Sequence, residues 1–190
     1  GLDRALSDSG YYGQVEVRPL RDQAQDHHIP IDVQLQALPR HAWRAGVGYA
    51  TDTGPRASLR YDNRYVNRRG DKIEGELRLS PVESGLTADY VFPGRRPREE
   101  SFSIGIGILT EDTDSIDSDR ASLIGRQTLR TGDWVQTRFL EWQFERSTVG
   151  SDETNTHLLM PGIAVERLHA DDPLRTRRGY RLNLEARAAS

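Results

Sequence analysis

Apolar and polar residues alternate one by one through most of the chain after Pro39, and this two-residue period is typical of β-strands with one apolar and one polar face. The pattern predicts nine strands, at residues 41–50, 56–67, 72–80, 85–92, 100–109, 120–130, 135–146, 157–167 and 179–188. Short connections rich in Gly, Pro, Asp and Ser separate them. Such short connections can join only antiparallel neighbours, so the chain is expected to be mainly β, an antiparallel up-and-down meander.

The first of these strands, His41 to Ala50, has a clear division between its two faces. Its apolar side carries Trp43, Ala45, Val47 and Tyr49, and its other side carries Arg44, Gly46 and Gly48. The turn TDTGP at residues 51–55 then reverses the chain.

Two later strands interrupt the alternation. Phe139 is out of phase with Leu140 and Trp142, and Met160-Pro161-Gly162 places a proline and a glycine inside a strand. We predict a β-bulge at each place. At Phe139 the reason is the change of phase, and at Met160-Pro161-Gly162 the reason is that proline cannot donate to the ladder and glycine packs little.

Residues 1–38 show a different pattern of apolar and polar residues. Leu2, Ala5 and Leu6 are spaced as on one helix face, and a helix is predicted from Asp3 to Ser9, ending at Gly10. Two strands follow, YYGQVEVRPL and IPIDVQLQAL, joined by the polar loop RDQAQDHH. Helix, strand, loop and strand form an α+β segment that is too small to hold a core alone.

The strands after residue 39 fit either a membrane barrel or a soluble sandwich. A sandwich would bury its apolar faces against each other, whereas here the apolar face is aromatic near the strand ends, as in the girdles of a membrane barrel. The polar face mixes Arg with Glu and Asp, which suits a wet lumen. We therefore favour the barrel, and a soluble all-β binding module remains open as the alternative.

Composition further limits the classes of protein to which the chain can belong. The mean hydropathy is −0.71 and no apolar run approaches the ~20 residues of a membrane helix. A net charge of −3 argues against nucleic acid as a partner, and the absence of cysteine excludes disulfides. The connections at one end of the meander are acidic and those at the other end contain arginine, which favours a barrel between two compartments.

No motif predicts catalysis, so we expect a protein that is not an enzyme, with no catalytic residue, cofactor or metal. The five histidines lack metal-ligand spacing, and Gly105 and Gly107 lie inside a strand, where backbone crowding is favoured over a phosphate loop. The acidic run EDTDSIDSD at residues 111–119 is either a solvated loop or a place where a divalent cation bridges to anionic lipid headgroups.

Several stretches resemble the outer-membrane protein assembly factors, the BamA/TamA superfamily. ALSDSGYYGQVEV, followed by the stretch from IPIDVQLQALPRHAW to DNRYVNRRGD, is similar to the end of the last POTRA domain and the first barrel hairpin. HLLMPGIAVERL and RRGYRLNLEAR are similar to later strands. The pattern PRH…GxGYxTDTGxRxSL resembles most the TamA type, the outer-membrane subunit of the translocation and assembly module.

The resemblance implies that residues 1–38 are the C-terminal part of the last POTRA domain. It implies that residues 39–190 are the N-terminal portion of an outer-membrane β-barrel of about sixteen strands. The chain would then be a piece of a longer protein. It also implies a Gram-negative surface antigen in the outer membrane, with its N-terminal part in the periplasm.

The function implied is assembly of outer-membrane barrel proteins and autotransporters. The implied partners are unfolded clients of both kinds, the lipid bilayer and the periplasm-spanning inner-membrane partner of the module. Clients would be templated at a lateral gate formed by the first barrel strand, with the residues Trp43, Ala45, Gly46, Val47, Gly48 and Tyr49. The alternatives are a polypeptide-secretion pore or general barrel assembly factor of the same superfamily, and a passive porin-like channel.

Overall fold

The computed structural model describes residues 2–7, 9–23, 28–51, 54–113, 117–149, 152–170 and 178–190. The chain divides into two compact units, Gly1–His41 and Ala42–Ser190.

The first unit is a helix followed by a hairpin. Helix α1 spans Leu2–Ser7, and strands β1 (Tyr12–Pro19) and β2 (Ile31–Ala37) pair antiparallel, with a short 3-10 turn at Arg21–Gln23 after β1. The predicted strands are confirmed. The helix ends at Ser7, two residues before the predicted end at Ser9. The hydroxyl of Ser9 donates a hydrogen bond to the carbonyl of Leu6 at 2.6 Å. Gly10 follows with φ +74°, the left-handed conformation that glycine adopts most readily.

The second unit is one antiparallel sheet of nine strands. The strands are β3 (His41–Ala50), β4 (Gly54–Asn63), β5 (Lys72–Leu79), β6 (Glu83–Pro93), β7 (Glu100–Asp112), β8 (Asp117–Thr131), β9 (Trp134–Val149), β10 (Asp152–Ala170) and β11 (Gly179–Arg187). Each strand lies beside its neighbours in sequence, in the order β11 to β3. The predicted nine-stranded meander is therefore confirmed.

The strand ends differ from the prediction in two ways. The strand predicted to reach Asn67 ends at Asn63, because residues 64–71 fold into a turn in which the amide of Val66 donates to the carbonyl of Asp71 at 2.6 Å. Strands β7 to β10 extend further at the acidic end than alternation predicts. Their polar ends pair through side chains, as where the Thr110 hydroxyl donates to Asp119 at 2.8 Å.

The two bulges predicted from sequence are wrong. Strands β9 and β10 pair without a register shift along their whole length, from Asp152 opposite Val149 at the acidic end to residue 167 opposite residue 134 at the other. Phe139 breaks the alternation because it lies on the polar face, where it packs over Gly162. Pro161 is tolerated because it interrupts the pairing at one position only. Its carbonyl accepts from the amide of residue 188 at 3.1 Å, and residues 159 and 190 exchange both backbone hydrogen bonds, at 3.2 and 3.3 Å, just beyond the end of β11.

Helices contribute little to the described structure. Within the described ranges, none is long and apolar enough to cross a membrane.

Candidate functional site: the β3 edge and the two faces of the sheet

Strand β3 is an edge of the sheet. Among the described strands, β4 is its neighbour on one side and no strand pairs with the other. The free side of an edge strand presents backbone N–H and C=O groups to which another extended chain can add. Strand β11 forms the opposite edge of the same sheet.

The structure places all six residues predicted for the gate on this edge strand. Trp43 is 63%, Val47 92% and Tyr49 73% exposed, and they share the apolar face with Ala45. This strand therefore combines a free backbone edge with a row of uncovered apolar side chains.

Gly46 and Gly48 lie on the other face of β3, beneath side chains of β4. A Cβ added at Gly46 would lie 2.9 Å from Oγ of Ser58, and one at Gly48 would lie 3.0 Å from Nε of Arg56. Both glycines thus leave room for a neighbouring side chain, and both also lack a side chain that could pack across the free edge.

Strand β3 is hydrogen-bonded to β4, and described side chains add to this pairing on both faces. Arg44 Nη2 donates to Asp62 Oδ2 at 2.7 Å on the polar face. On the apolar face, the rings of Trp43 and Tyr61 lie 4.3 Å apart between centroids. Both contacts lie in the half of β3 that begins at His41.

The apolar face carries aromatic residues near both ends of the strands. Trp43, Tyr61, Tyr90, Phe92, Phe102, Trp134 and Tyr180 lie toward the arginine-rich connections, and Tyr49, Trp142 and Phe144 lie toward the acidic ones. Between the two sets lie aliphatic residues, most of them exposed, including Leu59, Leu86, Ile104, Ile106, Leu123 and Leu159.

The polar face is crossed by ion pairs between strands. Arg126 Nη1 lies 2.6 Å from Asp89 Oδ1, and the side chain of Arg181 donates to Glu166 at 2.8 Å. The same face holds a larger cluster in which Glu145 accepts from Ser118, Arg120 and Gln143, at 3.2, 3.2 and 3.1 Å. Opposite charges on neighbouring strands thus pair across this face.

Gly105 makes one of these ion pairs possible. Asp89 on β6 and Arg126 on β8 reach each other over β7, and a Cβ at Gly105 would overlap the Asp89 carboxylate and lie 3.0 Å from Arg126 Nη1. At Gly107 an added Cβ would lie 2.7 Å from the Ser122 hydroxyl. Side chains of the neighbouring strands therefore fill the space above both glycines, whereas the sequence predicted crowding by backbone.

Two arginines on the apolar face were not predicted from the sequence. Arg138 and Arg167 lie on the apolar face, in the same rows as Ile163 and Trp134 respectively. The signal was available, because Arg138 is in phase with Leu140 and Trp142, but a bulge predicted at residue 139 concealed the phase.

Other predicted features lie partly outside the described residues. This holds for residues 24–27 of the polar loop, 52–53 of the first turn, 114–116 of the acidic run, and 150–151 and 171–177 of later connections. Two of the histidines contact neighbouring side chains in the structure. The ring of His157 lies 4.8 Å from that of Phe144, and Nδ1 of His169 lies 3.0 Å from Asp133 Oδ2.

No protein-family model matches the chain. Among solved structures it is similar to BamA from Haemophilus ducreyi lacking POTRA domains 1–3, with a TM-score of 0.72 and 10% sequence identity. The match covers 99% of this chain and 41% of that chain, so the present chain spans less than half the length of the structure it resembles. At this identity the likeness shows a shared fold, and it supports the sheet as part of a BamA-like barrel.

Proposed function

We propose that this chain is part of an outer-membrane β-barrel that assembles other outer-membrane barrel proteins and autotransporters. The observation that carries the proposal is the β3 edge, which pairs with no described strand on its outer side and is apolar, in a sheet with the BamA-like fold. A client strand would add to β3 and enter the bilayer from there.

The apolar face has the dimensions that a membrane requires. On β9, Trp134 and Phe144 face the same side, and the roughly ten steps between them span about 33 Å along the strand. With the strands tilted by about 45°, this gives about 23 Å across the membrane, close to the apolar band of about 25 Å in outer-membrane barrels. The bilayer would therefore cover the exposed aliphatic side chains between the two aromatic sets.

Strand addition supplies the driving force in this proposal. A client strand that pairs with β3 satisfies backbone donors and acceptors that would otherwise meet hydrocarbon, where each unsatisfied group is costly. Gly46 and Gly48 have no side chains on the polar face of the edge strand. A temporary partner strand therefore gains backbone hydrogen bonds but few side-chain contacts. Such a partner can be exchanged.

The subfamily and the partners belong to the same proposal. The stretch PRH…GxGYxTDTGxRxSL supports the TamA type over other assembly factors. The first unit, with its helix and hairpin, would then be the end of a periplasmic POTRA domain, and the inner-membrane partner of the translocation and assembly module would lie beyond it. The chain would carry no catalytic group, cofactor or metal.

The test is site-specific cross-linking to a client, since the chain has no cysteine. We would introduce Val47→Cys on β3 and, as the matched control, Ile106→Cys in the middle of the sheet on the same apolar face. Each variant is expressed in cells with an autotransporter that carries single cysteines along its last barrel strand. Val47→Cys should form disulfides at client positions that alternate with a period of two, because strand addition presents every second side chain to the same face.

Ile106→Cys should give no such ladder, because β7 has a strand on both sides. Equal cross-linking at both positions, or none at Val47→Cys while the client assembles normally, would contradict the proposal. A passive channel would give conductance across a bilayer without trapping any client.

A further inference from the structure

The apolar face of β9 and β10 carries two arginines that form no ion pair with a described carboxylate. Arg138 lies beside Ile163, and Arg167 lies beside Trp134, four residues further along β10. Other arginines of the sheet, such as Arg120 and Arg126, are paired with acids on the polar face. Within the aliphatic band and its aromatic border, Arg138 and Arg167 form what we call the arginine patch.

Arg167 is held in place by rings. Its guanidinium carbon lies 4.9 Å from the ring centroid of Trp134 and 5.3 Å from that of Tyr180, and its Nε is buried without a hydrogen-bond partner among the described residues. Cation–π contacts orient the guanidinium, and no carboxylate of the described residues forms an ion pair with it.

Arg138 lies at the end of an apolar hollow on the same face. The hollow is a shallow, open depression of about 370 Å³, and Gly125, Phe102, Ile104 and Leu140 are among the residues that line it. A Cβ added at Gly125 would meet no atom within 4 Å, so the glycine leaves open space. Gln127 lies directly across from Arg138 on β8 and also lines the hollow.

We propose that the arginine patch and the hollow over Gly125 form a binding site for an anionic phospholipid. This inference rests on the proposed membrane location. One acyl chain would lie over Gly125 between Ile104 and Leu140, and the phosphate would accept hydrogen bonds from Arg138, with Arg167 as a second cation nearby. The ligand class follows from the juxtaposition of unpaired guanidinium groups, which bind phosphate in a bidentate manner, with an apolar hollow that a phosphate alone would not fill.

The position along the membrane normal supports a lipid headgroup. Trp134 and Tyr180 belong to the aromatic set near the arginine-rich connections, and such rings lie at the headgroup level. Arginine on the lipid face of a barrel costs about 2–4 kcal/mol at the bilayer midplane and about 0–1 kcal/mol near the interface. Arg138 is four residues inside Trp134 on β9. An arginine side chain is long enough to extend from there toward the interface, where an anionic headgroup would stabilise it.

The test uses tryptophan fluorescence, because Trp134 and Trp142 flank Arg138 on the same face of β9. The protein is purified in detergent, and brominated phosphatidylglycerol or brominated phosphatidylcholine is added at equal mole fraction. The ratio of their quenching constants gives the preference for the anionic lipid. Inorganic phosphate is added in a separate competition, and it should not displace the lipid, because it leaves the hollow unfilled.

Wild-type protein should prefer phosphatidylglycerol, and Arg138→Gln should lower that preference about fivefold, which is the change expected from about 1 kcal/mol per basic residue at an anionic surface. Arg138→Lys should retain most of it. Gly125→Leu should weaken binding of both lipids by filling the hollow. The matched controls are Arg146→Gln, an arginine paired with Glu153 at the acidic end, and Gly75→Leu, a glycine on the same face of β5.

Equal quenching by the two lipids in the wild type, or an Arg138→Gln variant that keeps the full preference, would overturn the proposal. Displacement by inorganic phosphate would show an ordinary anion contact in place of a lipid site and would also overturn it. The assay needs no client, so its failure is separate from failure of the client cross-linking. Protein that remains monodisperse in water and takes up neither lipid would contradict both proposals.

Discussion

The phenolic hydroxyl of Tyr90 donates a hydrogen bond of 2.5 Å to Oδ2 of Asp71, and this contact ties the turn between β4 and β5 to strand β6. Asp71 is only 6% exposed, and the side-chain amide of Asn67 donates to the same oxygen at 2.7 Å. The backbone carbonyl of Asp71 accepts from Val66. A buried carboxylate thus organises the turn NRRGD, and Tyr90 contacts it from outside the turn.

We expect Tyr90→Phe to lower the free energy of unfolding by about 1–3 kcal/mol, because a hydrogen bond to a buried charged group is lost while the carboxylate stays buried. Urea unfolding in detergent micelles, followed by tryptophan fluorescence, measures the change. Tyr49→Phe is the control, since Tyr49 is on the same face, largely exposed and has no hydroxyl partner among the described residues. Equal effects of the two changes would refute a special role of the Asp71 contact.

A second prediction separates two roles of Gly46. Gly46→Ala would bring its Cβ to 2.9 Å from the Ser58 hydroxyl, and Ser58→Gly in the same chain would remove that contact. If the glycine serves exchange of client strands at the edge, client assembly in cells should be slow in Gly46→Ala and remain slow in the double variant.

Recovery of assembly by Ser58→Gly would instead show that Gly46 only makes room for Ser58. Gly75→Ala, on an inner strand, is the control, because its added Cβ would make only ordinary contact, 3.6 Å from the carbonyl oxygen of Thr87. The same measurement applies to Gly46→Val together with Gly48→Val, which should slow assembly further, since both side chains would pack across the edge.

Most of the fold could be predicted from the sequence because the sheet is built from neighbours in the chain. Period-two alternation with short connections leaves few topologies, and all nine strands were found where the pattern placed them. Alternation failed at the acidic ends of β7 to β10, where pairing is polar, as between Arg146 and Asn155 at 3.3 Å. No apolar signal marks such residues, so the predicted strands stopped too early.

The site was harder to predict because it depends on which strands lack a neighbour and on which side chains cross the sheet. The gate residues could be placed on β3, but their exposure follows from the edge position. The position of Phe139 could not be predicted, because a large apolar residue on a polar face resembles a shift of phase in the sequence. Only the pairing of β9 with β10 shows that it covers Gly162.

A third prediction concerns the ion pair that crosses β7. Gly105→Ala should lower the free energy of unfolding by about 1–3 kcal/mol, because its Cβ overlaps the Asp89 carboxylate and must displace it from Arg126. Gly125→Ala is the matched control on the next strand, where an added Cβ has open space. Its effect should be small, or stabilising by about 0.4–1 kcal/mol through the unfolded chain. Similar losses from both variants in urea unfolding would contradict this explanation of Gly105.

The last prediction uses the packing of Phe139 over Gly162. In Gly162→Ala the new Cβ would lie 2.6 Å from Cε2 of Phe139, and the ring must move away from its place between Gly162 and Arg187, whose guanidinium carbon lies 5.7 Å from the ring centroid. We expect a loss of about 1–3 kcal/mol in the free energy of unfolding, as is usual for overpacking. Phe139→Ala alone should also destabilise the sheet, because it uncovers the glycine backbone.

The double variant, Gly162→Ala with Phe139→Ala, distinguishes packing from an intrinsic need for glycine. Because the alanine no longer meets a ring, the double variant should be more stable than the sum of the two single losses predicts, with a coupling of about 0.5–3 kcal/mol for residues in contact. Gly162 has no positive φ, so alanine can adopt its backbone conformation. Additive losses in the urea measurement would mean that the ring and the glycine do not depend on each other, contrary to the geometry of β9 and β10.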